Sequence, residues 1–230
     1  MTTVHEVLGA LRSVRDPELD QDLVELGFVT EVILDGPAVT ARPRLPTYFC
    51  APNFAYLMVA DARAAIGALP GVGAVRIQLE DHFTAEEIND AVGRGEGFVA
   101  AFPGEAQAEL DDLRVLFQRK ALAARQSRVC DALLAAGRTH AELAALRLGE
   151  LGHDPDAERC RALRRALGMG TGDDAPALVT GDGAPLAAAE IPRFLRLGRL
   201  VSTSLEGNAG LCRGLLRTRY GLPDPEEIAA

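Results

Sequence analysis

The hydrophobic period of the chain changes twice between Val29 and Leu79, and this limits the possible folds more than any other feature. Val29 to Leu34 and Val39 to Leu45 alternate as two strands joined at Asp35-Gly36. Phe54, Leu57, Met58, Ala62, Ala65, Ile66 and Leu69 then recur at helical spacing, and Pro70-Gly71 ends that helix. Val75, Ile77 and Leu79 restore the strand alternation. Upstream, Thr3 and Glu6 form a capping box for a helix with Val4, Val7, Leu8, Leu11 and Val14 on one face, which Asp16-Pro17-Glu18 stops. Asp22 to Leu26 predicts one more helical turn, closed by Gly27. A second capping box, Thr84 with Glu87, predicts a short helix to about Val92.

A tight hairpin makes the first two strands antiparallel, and a helix between the second and third makes those two parallel. The fold class predicted is α+β: a small mixed-sheet α-β-β-α-β domain over residues 1–95, followed by a mostly α-helical domain over 105–222. Strands two and three end at the sheet edge where strand one begins. Three distant stretches therefore meet there: the Asp16-Pro17-Glu18 turn, Cys50 in the segment Pro46 to Pro52, and Asp81-His82. Cys50 stands just before a helix, whose first N–H groups favour thiolate, the form that binds soft metals. Cys50, Asp16, Glu18 and His82 make a predicted ligand set for iron or zinc. The plainer reading makes Asp16 and Glu18 solvated turn residues, His82 a strand cap and Cys50 a small loop filler.

Charge narrows the partners. The 230 residues carry a net charge of −9; residues 1–104 hold 15 acidic and 7 basic residues, and the remainder 18 and 17. The first half should repel a phosphate backbone. No run of about 18 apolar residues predicts a membrane span, and the N-terminus lacks the pattern of a secretory signal. The four cysteines, at 50, 130, 160 and 212, form no C-x-x-C pair, which predicts free thiols in a reducing cytoplasm.

Gly93, Gly95, Gly97, Pro103 and Gly104 predict a linker. Beyond it, Glu105 to Ala136 reads as a helix with Leu110, Leu113 and Phe117 on one face. Thr139 and Glu142 cap a second helix, and a third runs from Asp156 to Leu167 with Arg159, Arg161, Arg164 and Arg165 in one segment. Leu178 to Leu186 predicts a small hairpin, 188–197 and 206–220 two more helices, and Pro223 onward a frayed tail. The pair at 139–167 has the spacing of a helix-turn-helix, but its arginines are read as a solvated face or a docking face for an acidic partner in preference to DNA contacts. Cys130, Cys160 and Cys212 have apolar helical neighbours and are read as core. Gly170-Thr171-Gly172 is too short for a phosphate loop, and no G-x-S-x-G or H-E-x-x-H motif occurs, so a hydrolase is not expected.

The run Ala10-Leu11-Arg12-Ser13-Val14-Arg15-Asp16-Pro17-Glu18-Leu19, with Asp22-Leu23-Val24-Glu25-Leu26-Gly27-Phe28-Val29, resembles the opening of the PaaD/SufT-like domain. The likeness continues through Thr47, Cys50 and Leu69-Pro70-Gly71-Val72 and covers about residues 4–92. Such proteins act in iron–sulfur cluster assembly and metal-centre maturation. The resemblance implies a non-enzymatic accessory factor whose cysteine, Cys50 here, handles iron or a cluster transiently, with the Asp16-Pro17-Glu18 turn supporting it. It also implies a client metalloprotein, and PaaD-like relatives suggest an oxygenase component. Two departures stand out: Ala51 separates Cys50 from Pro52, and His82-Phe83 stands where relatives carry a tryptophan. One thiolate per chain leaves a cluster's remaining ligands to the client or to a homodimer. The rival readings are a metal-free interaction module and, third, a DNA-binding regulator.

Overall fold

Gly36, at φ +56°, lets the chain reverse between β1 (Val29–Asp35) and β2 (Ala38–Pro43), pairing Asp35 with Ala38. The computed structural model describes residues 2–222 in two units; the predicted tail from Pro223 lies outside the described residues. One unit takes the residues up to Asp111 and those from Gly207 onward, and the other takes Asp112–Glu206.

In the first unit, α1 (Val4–Leu11) starts at the Thr3–Glu6 capping box and buries Val7 and Leu11. Helix α2 (Pro52–Gly67) has proline in its first turn, where a missing N–H costs nothing. It crosses over so that β3 (Val75–Ile77) pairs parallel to β2, aligning Val39 with Val75 and Ala41 with Ile77. The sheet order is β1-β2-β3, and the α-β-β-α-β order is as the hydrophobic period predicts. Alternate residues of β2, Val39, Ala41 and Pro43, face the core with Phe28, Leu45 and Ile66.

Two local expectations are corrected. Thr84 does precede α3 (Ala85–Arg94), but its side chain makes no cap; its hydroxyl lies 3.1 Å from His82 Nδ1 instead. The glycine-rich segment 93–104 is not a loose linker. It contains α4 (Phe98–Ala101), whose first N–H groups are capped by Glu109 at 2.8 and 3.2 Å, and it buries Ala101 and Phe102 in the core.

The second unit holds α5 (Asp111–Ala135, from the unit boundary), α6 (His140–Ala145), a 3₁₀ turn at Leu148–Glu150, and α7 (Pro155–Ala166). The predicted hairpin is one bridge, Val179 to Pro185, and Gln126 clamps Val179 through N–H and C=O bonds of 2.8 and 3.0 Å. Two of the four α7 arginines turn inward instead of joining the predicted solvated or docking face; Arg165 stays exposed. Arg161 donates to the Leu148, Leu151 and Gly152 carbonyls, and Arg164, 2% exposed, donates to those of Pro176 and Ala177. Loops without ladder partners need donors for their buried carbonyls, and a guanidinium supplies several.

The two predicted C-terminal helices are one, α8 (Ile191–Tyr220). Gly198 does not break it. A Cβ there would stand 2.6 Å from Ser127 Cβ and 3.0 Å from the Ala123 carbonyl oxygen, so the glycine marks close passage of α5. Gly198→Val should therefore cost about 1–3 kcal/mol through overpacking. Gly210→Ala, whose added methyl meets nothing within 4 Å, should add about 0.5–1 kcal/mol through helix propensity. Urea denaturation of both variants checks the opposite signs; a Gly198→Val protein as stable as the parent would mean the helices stand further apart.

Candidate functional site

The chain leaves β2 and β3 side by side, still bridged at Arg44 and Glu80, so the segments 45–50 and 81–84 run off the same sheet edge. His82, 5% exposed, ties them together. Its Nδ1 accepts from the Thr84 N–H at 3.3 Å, which leaves Nε2 as the donor to the Cys50 carbonyl at 2.7 Å. Burial pushes the imidazole below its ordinary value, so the ring is neutral. Asp81, just before it, holds φ 52°, a left-handed conformation that aspartate tolerates better than most residues. Arg219 of α8 donates to the carbonyls of Asp81 (2.8 Å) and Leu45 (3.3 Å) and so grips both segments.

Cys50 is half-buried two residues before α2. The expected thiolate is not what this setting favours: burial pushes the thiol up to about 12, and the Asp16 carboxylate, Cys212 and Glu18 push the same way. The Ala51 N–H bond to sulfur pulls down, but less. Desolvation and neighbouring anions therefore outweigh the helix end, and Cys50 is a protonated thiol at neutral pH.

Asp16 is 6% exposed. Its Oδ1 accepts from the N–H groups of Glu18 (2.8 Å) and Leu19 (3.0 Å), closing the turn that Pro17 begins. Burial nevertheless raises the carboxyl to about 6, with those two bonds opposing. Glu18 is exposed. Both carboxylates also raise Cys212, which is half-buried and not the core cysteine the sequence suggested; Cys130 and Cys160 are fully buried. The signal for Cys212 was present but ambiguous: Ala209, Cys212 and Leu216 share one helical face, which reads equally as packing.

The rim thus brings Asp16, Glu18 and Cys50 together, and ties His82 to Cys50 through the backbone. Its donor set, a soft sulfur with two carboxylates nearby, fits part of a metal site. Among the described residues, no three His, Cys, Asp or Glu side chains group closely enough to hold an ion. Both nitrogens of His82 face protein groups, so its work is positioning. Beside the thiol, Tyr48, Phe49 and Phe83 form an exposed cluster with ring centroids 5.0 to 6.2 Å apart, and Phe49 is 76% exposed.

Residues 5–78 match the model of a family described as iron–sulfur cluster assembly protein. The uncharacterized protein MJ1129 of Methanocaldococcus jannaschii is 31% identical over 91 residues, covering 39% of this chain and 94% of that protein. The chain belongs to the iron–sulfur cluster assembly protein family. An iron–sulfur cluster carrier protein of Synechocystis sp. is 37% identical over 79 residues, which are 34% of this chain and 22% of the carrier. The family segment contains Asp16, Glu18 and Cys50 and ends before His82 and Cys212. No helix among the described residues is long and apolar enough to cross a membrane.

Asp16 makes the rim sensitive to pH. The unfolded carboxyl releases its proton near 3.8, the folded one near 6. Between those values the folded state binds more protons, so stability falls as pH rises through about 4 to 6, by about 3 kcal/mol, and stays lower above. Asp16→Asn keeps the Oδ1 acceptor and removes the charge, so it should be the more stable protein above pH 6. Urea midpoints from pH 4 to 8 check this; equal slopes for the two proteins would show that Asp16 titrates normally.

Proposed function

We propose that this protein is an accessory factor in iron–sulfur cluster or iron-centre assembly, receiving metal at Cys50 and passing it to a client. The observation that carries this reading is the position of Cys50: a half-exposed sulfur within the family segment, flanked by Asp16 and Glu18 on a rim that three chain-distant stretches build. The cluster or iron is cargo, and the protein is not an enzyme. An incomplete ligand set suits cargo, because a closed four-ligand cage would retain it. The remaining ligands come from the client, or from a second copy of the chain during loading.

The exposed rings of Tyr48, Phe49 and Phe83 are the surface on which the client would seat beside the thiol. The helical unit would recognise the client as a whole. An oxygenase component is the client class suggested by the PaaD-like resemblance, and a reducing cytoplasm is the compartment that would keep all four thiols free. A second reading, an interaction module without metal, is favoured by the high pKa of Cys50 and by the rings themselves.

Anaerobic loading with iron and sulfide, followed by metal analysis and absorption spectroscopy, separates the two. Cys50→Ser should lose retained iron while changing stability by less than about 1 kcal/mol, since serine is near cysteine's size and the site is only half-buried. Cys130→Ser and Cys160→Ser should do the reverse: keep iron, but lose about 1–3 kcal/mol by placing a hydroxyl in an apolar core. Iron retention by Cys50→Ser equal to the parent's would hand the rim to the interaction-module reading.

A further inference from the structure

Strand β3 ends the sheet, and one of its sides has no strand to pair with. Its even-numbered neighbours serve β2: Val39 donates to the Ala74 carbonyl at 2.9 Å, and Gln78 donates to the Ala41 carbonyl at 2.9 Å. Strand geometry then turns the N–H and C=O groups of Val75 and Ile77 to the open side. Leu79, next in that series, has both groups answered by the Asn89 side chain of α3. Val75 and Ile77 have no such substitute among the described residues.

A cleft of about 810 Å³ is lined by Val75 and Ile77, by Asn89 and Gly93 of α3, and by Arg63 of α2. Gly93 leaves it open, since a Cβ there would meet nothing within 4 Å. The Arg63 Nε is buried without a hydrogen-bond partner, and no carboxylate pairs with this guanidinium among the described residues. The other charges of the cleft are satisfied: Arg94 meets Glu96 at 2.8 Å, and Asp35 and Glu86 are exposed to water. A charged donor buried without an acceptor is costly, so the cleft is short of one anionic group.

We propose that this cleft takes an extended peptide segment of a partner protein, which pairs with β3 as a fourth strand and sets one acidic side chain on Arg63. The free backbone groups of Val75 and Ile77 repeat at the two-residue period of a strand, and an added strand answers both. The volume suits a short segment and not a second folded domain. Successive side chains of the added strand face opposite ways, so the residue aimed at Arg63 carries the acid while its neighbours turn away. No residue of the segments 45–50 or 81–84 lines the cleft, so the contact does not depend on the reading of Cys50.

The probe is a blocked, dye-labelled peptide, Thr-Val-Glu-Val-Thr-Ser, added to the full chain and followed by fluorescence anisotropy and amide hydrogen exchange. In the free chain the Val75 and Ile77 amides should exchange faster than that of Arg76, which points into the ladder. Saturating peptide should protect both and leave Arg76 unchanged. The same peptide with glutamine for glutamate should bind about tenfold more weakly, the loss of one charge-assisted bond. Arg63→Met, which keeps the aliphatic stem, should bind the two peptides equally. Gly93→Leu should abolish binding by filling the cleft, with a urea midpoint no lower than the parent's. Absence of protection at Val75 and Ile77 with the peptide at millimolar concentration overturns the proposal. Protection of both amides in the free chain that grows with protein concentration also overturns it, and gives the edge to a second copy. Free glutamate reproducing the response would show an anion site without strand pairing, and a glutamate preference that survives in Arg63→Met would remove Arg63 from the contact.

Discussion

Parallel pairing of β2 and β3 is the constraint on which the rim depends. A crossover helix, α2, joins them, so both strands leave the sheet at one end, and the Cys50 and His82 segments emerge together. Strand β3 is only Val75–Ile77, too short for its ladder to hold it alone. Packing and side chains complete the work. Ile77 and Leu79 are buried in the core, and Asn89 of α3 bonds both the N–H and the C=O of Leu79, at 2.9 and 3.0 Å, where a further strand would otherwise pair. His82 then closes the rim by reaching the Cys50 carbonyl. The site inherits its precision from these backbone bonds, because the residues that would touch cargo do not hold each other.

Burial sets the electrostatics of that rim. A helix N-terminus favours thiolate by a fraction of a charge, felt over one turn. Removing a sulfur from water and setting a carboxylate beside it acts in the other direction and is larger here, as the shift of Cys50 to about 12 records. The same burial raises Asp16, even with two backbone N–H bonds to its oxygen. These groups are mutually repulsive when ionised, so the bare rim is strained toward its protonated form. An arriving cation would attract each of those anions and offset their mutual repulsion.

The order of elements was legible because the hydrophobic period changes at the element boundaries and because Asp35-Gly36 and Pro70-Gly71 mark turns. The convergence of Asp16, Cys50 and His82 at one edge follows from the handedness and direction rules alone. What local pattern could not reveal was the choice between equivalent local partners. Thr84 had a capping glutamate three residues on, yet its hydroxyl turned to His82. Arg161 and Arg164 looked like solvated charge, yet their donors went to carbonyls of loops up to 13 residues away. The predicted helix stopped at 197, yet Gly198 continues it and admits a neighbouring helix. Cys212 belongs with these: a cysteine on an apolar helical face reads as core until the helix's destination is known, and that is a tertiary fact.

A protonated resting thiol bears on how cargo is handled. A thiolate exposed on a rim would be open to oxidation and to any soft cation. A thiol near pKa 12 resists both until its proton is displaced; in the proposed reading an arriving metal would displace it, and the metal's charge would relieve the repulsion from Asp16 and Glu18. Release would run the same exchange backward: as the acceptor's ligands replace the rim's, the sulfur would regain its proton. If Cys50 takes metal as proposed, proton and metal compete for one position, and the burial that makes Cys50 a poor free nucleophile would make it a reversible ligand. The exposed rings at Tyr48, Phe49 and Phe83 add the remaining requirement, since a seated client would exclude water and let its own sulfurs compete in the same low-dielectric setting.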